Sequence, residues 1–241
     1  MAGRQRKVLV TGSSNGIGLE IAKTLLEKGF YVIVHGTGSN KSEFEKLNKS
    51  YPEQVGSWWF DLNEDPTESF GALLKSEGPI WALVNNAGII PENNIWSCNY
   101  ENLHDLFRVN VFSSFVISSQ FVESVDPEVG ARIVNISSIA IKFGMGRNQG
   151  IQYAATKSAL EALNTGLSRL GASKNILVNA IRPGCILTRI QKDRPDFKER
   201  VDLIPVKRMG TEKEIAGAVE YFLSDSASFT TGQVLSVAGG E

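Results

Sequence analysis

The amino-acid sequence predicts an α/β protein built on one doubly wound, seven-stranded parallel sheet with helices on both faces. Short apolar, β-branched runs alternate with amphipathic helical patterns along the chain, which is typical of successive β-α-β units. No linker divides the 241 residues into two halves. We therefore expect a single domain over residues 1–241, with ligands bound outside the carboxyl ends of the strands.

Composition argues against several classes of function. Hydrophobic residues make up 42% of the chain and charged residues 21%, as in an ordinary globular protein. A net charge of −1 and a pI of about 6.2 give no drive toward nucleic acid or a membrane, and no apolar run is long enough to span a bilayer. The two cysteines, Cys98 and Cys185, match no metal-ligand spacing and cannot form a disulfide framework. We expect no metal site and a reducing, cytoplasmic location.

The first strand, residues 8–10, runs into a glycine-rich turn, and a helical pattern that ends at Gly29 follows at once. Gly12 permits a tight turn, Gly16 lets the backbone approach a pyrophosphate at the helix N-terminus, and Gly18 allows close packing of helix and strand. This context predicts a dinucleotide site, although a glycine turn that serves only geometry is the alternative. The predicted cofactor contacts in the turn are Gly12, Ser14, Asn15, Gly16, Ile17 and Gly18.

The end of the second strand, residues 31–34, bears on the choice of cofactor. A carboxylate there would bind the adenosine ribose hydroxyls of NAD. Residues 35–41 contain no carboxylate, and nothing among them would repel a 2′-phosphate. The sequence therefore favours NADP, as NADPH, with NAD as the alternative; a plain glycine turn without a cofactor would explain the same residues. The hydrogen-bond donors available are Thr37, which is the predicted contact, Ser39, Asn40 and Lys41.

The third strand is predicted over residues 56–60, after a helical stretch at 41–50, and it ends in Asp61 and Leu62. An aspartate at the carboxyl end of a strand could bind an adenine amino group, or it could cap the helix predicted at 66–77. The sequence does not decide between these two roles. Both Asp61 and Leu62 are predicted cofactor contacts.

Two asparagines follow the fourth strand, which is predicted over residues 81–84. Unsatisfied amides are costly in a core, so we expect the segment that begins at Asn85 to fix the point where the order of the strands reverses. It should also contact the cofactor. The predicted contacts there are Asn86, Ala87 and Gly88.

A long helix is predicted over residues 100–125, with Asn110 near its middle. Asparagine is a poor helix former, so its amide could bond the carbonyl four residues earlier, bend the helix, or hold a water molecule.

The rest of the chain continues the alternation of strands and helices. A fifth strand is predicted at 131–136 and ends at Ser137 and Ser138; a glycine-rich loop and a helix at 153–171 follow. The later elements are a sixth strand at 176–181 broken by Pro183 and Gly184, an aperiodic flap at about 185–208, a helix at 212–223 and a last strand at 233–237.

Tyr153 and Lys157 are four residues apart, so they share one face of the predicted helix. A free tyrosine hydroxyl has a pKa near ~10, too high for a good proton donor or acceptor at neutral pH. A nearby ammonium favours the phenolate and lowers that pKa, which makes the pair a plausible acid–base couple. Taken alone, the pair is more simply explained as a buried tyrosine and a surface lysine.

Taken together, these motifs resemble those of the short-chain dehydrogenases/reductases over essentially the full chain. The resemblance implies a Rossmann fold, a nicotinamide cofactor and hydride transfer between a carbonyl and a secondary alcohol. The whole set in this order is far more specific than any one motif alone. The matching motifs are Thr11-Gly12-x-x-x-Gly16-x-Gly18, Asn85-Asn86-Ala87-Gly88, Asn110, Ser138, Tyr153-x-x-x-Lys157 and Pro183-Gly184.

The resemblance also implies a role for each catalytic residue. Tyr153 would exchange a proton with the carbonyl oxygen, and Ser138 would hold that oxygen. Lys157 would lower the tyrosine pKa and bind the nicotinamide ribose. Asn110 would anchor a water molecule that links Lys157 to solvent. The cofactor contacts implied beyond the earlier turns are Tyr153, Lys157, Pro183, Gly184, Ile186 and Thr188.

Within the family, the chain looks most like bacterial 3-oxoacyl-(acyl-carrier-protein) reductases, with residues 205–211, 214–216 and 231–233 typical of that branch. This implies reduction of a 3-oxoacyl thioester in fatty acid synthesis. An NAD(P)-dependent dehydrogenase of a hydroxy acid, sugar or polyol is the alternative, because such enzymes share these segments. A non-catalytic nucleotide-binding sensor is a third hypothesis, but it would have no need of an intact set of proton-relay residues.

Charge and apolar surface indicate two kinds of partner. Residues 182–208 carry eight basic and four acidic side chains, so a positive rim could attract an acidic acyl-carrier protein or an anionic substrate. Acids elsewhere in the chain could equally balance that charge.

The helices predicted at 100–125 and 153–171 carry more apolar surface than one sheet face needs, and in the family such faces pair subunits. We therefore expect a homotetramer.

Overall fold

The computed structural model describes residues 5–39, 41–91, 94–144, 150–187 and 197–241 of the chain. The described strands are β1 Lys7–Val10, β2 Tyr31–Gly36, β3 Val55–Trp59, β4 Ala82–Asn85, β5 Ala131–Ile136, β6 Ile176–Pro183 and β7 Val234–Val237. The described α-helices are α1 Gly16–Glu27, α2 Ser42–Ser50, α3 Thr67–Glu77, α4 Tyr100–Phe107, α5 Ser113–Ser124, α6 Ala140–Phe143, α7 Ile151–Ala172, α8 Phe197–Leu203 and α9 Glu212–Leu223. Short 3-10 turns lie at Ile95–Ser97 and Asp225–Ala227, and a π-helical segment, Arg108–Phe112, joins α4 to α5.

All seven strands run parallel in one sheet, in the order β3-β2-β1-β4-β5-β6-β7. The order reverses between β1 and β4, since β1 pairs with β2 on one side and with β4 on the other. The carboxyl ends of all the strands meet at one edge of the sheet, which we call the carboxyl edge. The predicted fold class, a doubly wound seven-stranded parallel sheet, is therefore confirmed.

Each face of the sheet packs against its own layer of helices. One apolar cluster joins the strands to α1 and α9 and includes the fully buried Leu25. A second joins them to α3 and α5 and includes the fully buried Phe121. In β1, Val8 and Val10 belong to the first cluster and Leu9 to the second, because successive strand residues face opposite sides. The prediction of helices on both faces is confirmed as well.

Three elements differ from the expectations based on sequence. The predicted helix over 100–125 contains the π-helical segment, which widens the helix around Asn110. The single turn of α6 lies in the predicted glycine-rich loop, and α8 lies in the predicted aperiodic flap, whose residues 188–196 are outside the described part of the chain. Both helices are too short to show a clear hydrophobic period in the sequence.

Most of the residues singled out from the sequence follow the end of a strand and therefore lie at the carboxyl edge, whereas Asn110, Tyr153 and Lys157 lie on helical elements. Among the described residues, no helix is long and apolar enough to cross a membrane. The same part of the chain contains no group of three or more histidine, cysteine, aspartate or glutamate side chains arranged to hold a metal ion. The carboxyl edge is therefore the region to search for a functional site.

Candidate active site

A tight turn joins β1 to α1 at the carboxyl edge. Gly12 has a φ of 63° and Gly16 a φ of 53°, both in the left-handed region that favours glycine. A Cβ atom on Gly18 would lie 2.3 Å from the carbonyl oxygen of Gly12, so the packing of helix against turn requires glycine there. On Gly16, by contrast, a Cβ would meet no described atom within 4 Å. The turn is therefore tightly packed at Gly18 and open at Gly16.

Helix α1 begins on this open side without a side-chain cap. Asn15 is its N-cap residue, and within the described structure its side chain makes no capping hydrogen bond. The first turn of α1 also contains no acidic residue, so the positive end of the helix dipole is not compensated locally. Backbone N–H groups at such an end suit a pyrophosphate. The open space at Gly16 and the uncapped helix therefore fit a dinucleotide.

The three other predicted contacts in this turn differ in how they could meet a ligand. Ser14 packs beside Gly36 at the end of β2, since a Cβ atom on Gly36 would lie 3.0 Å from the Ser14 hydroxyl oxygen. Asn15 is exposed. Ile17 packs, partly buried, against the apolar cluster around α1, so its backbone rather than its side chain is available.

His35 supports the glycine turn, although no motif in the sequence points to it. Its Nδ1 accepts a hydrogen bond from the Gly12 N–H at 2.9 Å. Its backbone N–H donates to the Ser13 hydroxyl, and its carbonyl oxygen accepts from the Ser13 N–H. The residue is 3% exposed, and its ring lies 4.7 Å from that of Trp58. Burial lowers the pKa of His35 to about 4, so the ring that supports the turn is neutral. The sequence predicts a second strand that ends at residue 34, but β2 runs to Gly36 and therefore includes His35 in the sheet.

Lowering the pH should destabilise the protein through His35. The unfolded chain binds a proton at this residue near pH 6.5 and the folded chain only near pH 4, so stability falls as the pH drops through that window. We expect His35 to contribute a loss of about 2 kcal/mol between pH 7 and pH 5. Denaturant unfolding of the wild type and of His35→Asn at both pH values measures this loss. An equal loss in the two proteins would show that another group is responsible.

The residues after β2 form a polar corner beside the glycine turn. The hydroxyls of Thr37 and Ser39 lie 3.0 Å apart, within hydrogen-bonding distance. The Lys41 ammonium lies 5.2 Å from the centre of the Trp59 ring, a cation–π arrangement that holds a positive charge at this corner. The corner therefore offers hydroxyl donors and one cation, as a phosphate group requires.

The predicted contacts after β3 have separate tasks. Asp61 is exposed, and its carboxylate accepts a hydrogen bond from the Asn63 N–H at 3.0 Å. It does not cap α3, because that helix begins only at Thr67, whose N–H donates to Asp65 at 2.9 Å. The alternative that Asp61 caps the next helix is therefore wrong. Leu62 is buried in the second apolar cluster, so only its backbone can face a ligand.

The segment after β4 ties the sheet to the glycine turn. Asn85 is buried and hydrogen-bonds across to β5 and α5. The Asn86 amide donates to the carbonyl oxygens of Thr11 and Gly12, at 2.9 and 3.0 Å. The backbone N–H groups of Asn86 and Ala87 both donate to the Thr11 hydroxyl at 3.0 Å. The predicted role of this segment in fixing the reversal point is confirmed, and the Asn86 amide protons are used for it.

Gly88 borders a space shared by Asn110 and Lys157. A Cβ on Gly88 would lie 3.3 Å from both Asn110 Oδ1 and Lys157 Nζ. The Asn110 amide donates to the Ile89 carbonyl at 2.9 Å and to the Thr156 hydroxyl at 3.1 Å, and it accepts from the Ile89 N–H at 2.8 Å. The alternative in which this amide bonds the carbonyl four residues earlier is wrong, because its bonds go to other segments.

The π-helical segment gives Asn110 its place in the fold. The residue is completely buried, and its side chain links the α4–α5 helix to the turn after β4 and to α7. Single π turns inside α-helices are frequent at functional sites. An amide oxygen has two lone pairs, and the Ile89 N–H occupies one, which leaves one for a further donor such as water.

Ser138, Tyr153 and Lys157 converge where β5 ends and α7 begins. The side chain of Ser138 is hydrogen-bonded to that of Tyr153. Lys157 Nζ lies 5.6 Å from the centre of the Tyr153 ring and donates to the Ile136 carbonyl at 2.9 Å. Lys157 is 2% exposed, so the interpretation of this residue as a surface lysine is wrong. The structure therefore brings together three of the four predicted catalytic residues, and the fourth, Asn110, borders the space at Gly88 that Lys157 also borders.

Burial sets the protonation of both titratable groups. It raises the pKa of Tyr153 to about 12, and the hydrogen bond to Ser138 offsets only part of that rise. It lowers the pKa of Lys157 to about 8. The expectation that Lys157 lowers the tyrosine pKa below its usual value is therefore wrong for the protein alone, because desolvation of the phenolate dominates. At neutral pH Tyr153 carries its proton and Lys157 is mostly charged.

The predicted contacts after β6 are only partly placed. Pro183 ends the strand, and a Cβ on Gly184 would lie 2.6 Å from the Ala238 Cα, so the chain can pass there only as glycine. Ile186 is buried in the first apolar cluster, which leaves its backbone for a ligand. Thr188 lies outside the described residues. The described structure therefore gives Gly184 a packing role and does not test the contact assigned to Thr188.

Acids that are distant in sequence neutralise part of the expected positive rim. Among the cations of residues 182–208 whose side chains the structure describes, three form ion pairs with carboxylates outside that segment. These pairs are Arg182 with Glu161, Arg200 with Glu241, and Arg208 with Glu214. The charge expected to attract an acidic partner is reduced accordingly, and the alternative of balancing acids gains support.

Comparison with known proteins shows similarity to several reductases. A family model described as Enoyl-(Acyl carrier protein) reductase matches residues 12–241. A 3-oxoacyl-[acyl-carrier-protein] reductase from Buchnera aphidicola subsp. Schizaphis graminum is 34% identical, over 98% of this chain and 97% of that protein. An L-xylulose reductase from Caenorhabditis elegans is 33% identical, over 98% of this chain and 95% of that protein.

One solved structure with a similar fold is a blue fluorescent protein from a metagenomic library, in complex with NADPH. It matches with a TM-score of 0.89 at 27% identity, over 98% of this chain and 97% of that one. The similar proteins therefore share a fold and a full-length alignment, whereas the substrates in their names differ.

Proposed function

The chain belongs to the short-chain dehydrogenase/reductase family, and from this premise we propose that it interconverts a carbonyl and a secondary alcohol with a nicotinamide cofactor. The observation that carries the proposal is the convergence of Ser138, Tyr153 and Lys157 at the carboxyl edge that also bears the open glycine turn. When bound, the nicotinamide supplies or accepts the hydride. The residues of the chain orient the reactants and move the proton.

In this proposal Tyr153 gives its proton to the carbonyl oxygen. Its raised pKa keeps the hydroxyl protonated at neutral pH, as reduction requires. The Ser138 hydroxyl is the partner that holds both Tyr153 and the substrate oxygen, and the charged Lys157 stabilises the phenolate that remains. The buried Asn110 holds the segment beside Lys157, and its remaining lone pair suits a water molecule that returns a proton.

We propose NADPH as the preferred cofactor. Support comes from the corner after β2, where the hydroxyls of Thr37 and Ser39 and the ammonium of Lys41 can meet a 2′-phosphate. The similar blue fluorescent protein was solved in complex with NADPH, and this similarity supports the proposal. Initial rates with NADPH and with NADH compare the two cofactors directly.

Lys41→Ala should weaken NADPH binding about fivefold and leave NADH binding unchanged, because one exposed ion pair is worth about 1 kcal/mol. Cofactor fluorescence titration measures both dissociation constants. Lys46→Ala is a matched control, since Lys46 lies on α2 and pairs with Glu43. A similar loss for both cofactors would contradict a role for Lys41 at the 2′-phosphate.

We further propose a 3-oxoacyl thioester as the substrate, reduced in fatty acid synthesis. The Buchnera reductase supports this by similarity over nearly the whole chain. Exposed apolar side chains occur just after Gly88, at Ile89 and Ile90, and in the flap, at Leu203 and Val206. They suit an acyl chain. The proposal that an acidic acyl-carrier protein carries this substrate rests on the positive charge of residues 182–208, which the three ion pairs reduce.

NADPH oxidation with acetoacetyl thioesters tests the substrate proposal. Turnover of the free thioester supports it, and a lower KM for the carrier-bound form would support a carrier protein as partner. The acyl assignment fails if these compounds are inert while a sugar or a simple ketone is reduced.

A sugar, polyol or hydroxy acid is the second candidate substrate. The similarity to L-xylulose reductase favours it, at an identity close to that of the acyl-thioester reductase. Pocket shape rather than fold decides substrate choice in such enzymes. A screen of both substrate classes under the same conditions decides between the two candidates.

We propose that the chain forms a homotetramer. Phe112, in the π-helical segment, and Phe115, on α5, are 47% and 46% exposed. Apolar surface of this kind is typical of an interface. Sedimentation equilibrium should give the mass of four chains, and the mass of one chain would refute the proposal.

A further inference from the structure

The carboxylate of Glu161 joins three elements that meet at the candidate site. It accepts hydrogen bonds from the Ser137 hydroxyl at 2.7 Å and from the Arg182 guanidinium at 2.6 and 2.5 Å. Glu161 lies on α7, Ser137 directly follows β5, and Arg182 lies in β6. The side chains of Arg182 and Glu161 are 22% and 14% exposed, so this ion pair is largely shielded from solvent.

This trio lies next to the residues assigned to proton transfer. Ser137 immediately precedes Ser138 in the chain. Glu161 lies four residues, or about one helical turn, beyond Lys157 on the same helix. The ion pair with Arg182 therefore links the helix that bears the acid to the strand beside Ser138. Sequence motifs give no sign of it, because the two charged residues are 21 positions apart.

The backbone on both sides of Ser138 depends on β6. The residues before and after it donate hydrogen bonds to that strand, and Arg182 lies between the two acceptors. These bonds run from the Ser137 N–H to the Ile181 carbonyl at 2.8 Å and from the Ile139 N–H to the Pro183 carbonyl at 2.9 Å. Fixing Arg182 relative to α7 therefore fixes the segment that carries Ser138.

Removing the carboxylate would disturb this segment in two ways. Arg182 would be left with a partly buried charge and without its carboxylate partner, which favours a shift of the side chain toward solvent. The link from α7 to Ser137 would be lost, while the bond from Lys157 Nζ to the Ile136 carbonyl would remain. Small displacements of this kind affect the rate of proton transfer strongly, because that step needs the reacting groups within hydrogen-bonding distance.

We propose that Glu161 and Arg182 are positioning residues that set the distance between Ser138 on the β5 side and Tyr153 on α7. This inference rests on the proposed carbonyl chemistry, since Ser138 and Tyr153 act only in that step. Glu161 touches neither reacting residue and works through Ser137. The ion pair therefore controls kcat rather than cofactor binding.

Kinetics of Glu161→Ala test the inference. We expect kcat to fall at least about tenfold, with the KM and the NADPH dissociation constant changing less than about twofold. Glu161→Gln keeps an acceptor for Ser137 and should recover part of the rate. The matched control is Glu77→Ala, which breaks a similarly shielded ion pair with Lys7 at the opposite edge of the sheet and should leave kcat unchanged. Equal effects of the two alanine variants on kcat would overturn the inference.

A double variant tests whether Glu161 acts through Ser138. In a Ser138→Ala background, Glu161→Ala should lower kcat by less than about twofold, because the residue that it positions is already missing. If the full loss persists in that background, Glu161 acts by another route and the inference is wrong.

Hydrogen–deuterium exchange separates a failure of this inference from a failure of the proposed function. Glu161→Ala should increase exchange at the backbone amides of residues 137–140 and leave the turn at 12–18 unchanged. A wild type that reduces no carbonyl compound would refute the proposed function, and the exchange experiment would still decide whether Glu161 orders the Ser138 segment. Unchanged exchange at 137–140 would overturn the positioning role.

Discussion

Replacing Tyr153 with phenylalanine should lower kcat about a thousandfold and leave the affinity for NADPH nearly unchanged. The substitution removes one hydroxyl and keeps the ring in its packing. A thousandfold loss corresponds to about 4 kcal/mol of transition-state stabilisation, which lies within the range for a lost general acid. Steady-state rates on the best carbonyl substrate and a fluorescence titration of NADPH measure the two quantities.

Tyr100→Phe is the control for this experiment, because it makes the same chemical change on α4 at a residue that is 80% exposed. It should leave kcat within about twofold, as surface substitutions usually do. More than about a tenth of the wild-type rate in Tyr153→Phe would refute Tyr153 as the acid. A wild type that binds NADPH and turns over no carbonyl would instead favour the hypothesis of a nucleotide-binding sensor.

The fold was predictable because its signals are local. Strands buried on both faces appear as short apolar runs, such as residues 8–10, and each ends in a turn with a recognisable composition. Alternation with helices then restricts the topology to a doubly wound sheet. Short elements escaped prediction for the same reason, since the single turn of α6 has too few residues to show a period.

The site was predictable only as far as its residues form motifs along the chain. Tyr153 and Lys157 share a helix, so their spacing reveals them. His35 and Glu161 act through contacts with residues more than 20 positions away, and no local pattern records such contacts. Burial was equally hidden, and it reversed the expected direction of the Tyr153 pKa. The positive charge counted along residues 182–208 is partly neutralised in the fold, because Arg182, Arg200 and Arg208 pair with carboxylates outside that segment.

Gly18→Ala should raise the NADPH dissociation constant at least about tenfold and destabilise the protein by about 3 kcal/mol, the upper range for an overpacked site. The added Cβ would lie 2.3 Å from the Gly12 carbonyl oxygen and 2.5 Å from Asn86 Nδ2. Neither atom can easily withdraw, because the Asn86 amide also bonds the Thr11 and Gly12 carbonyls. Relief therefore requires α1 to move away from the turn, which displaces the N–H groups that suit a pyrophosphate.

Gly166→Ala makes the same chemical change at a position where no described atom of the same chain opposes it. Gly166 lies in the interior of α7, and a Cβ there would meet no described atom within 4 Å. Alanine should stabilise that helix by about 0.5–1 kcal/mol, since glycine loses more backbone freedom on folding, and the affinity for NADPH should not change. Denaturant unfolding and cofactor titration of both variants compare the two positions. Effects of the same sign would contradict the close contact at Gly18, because only that contact makes the two glycines differ.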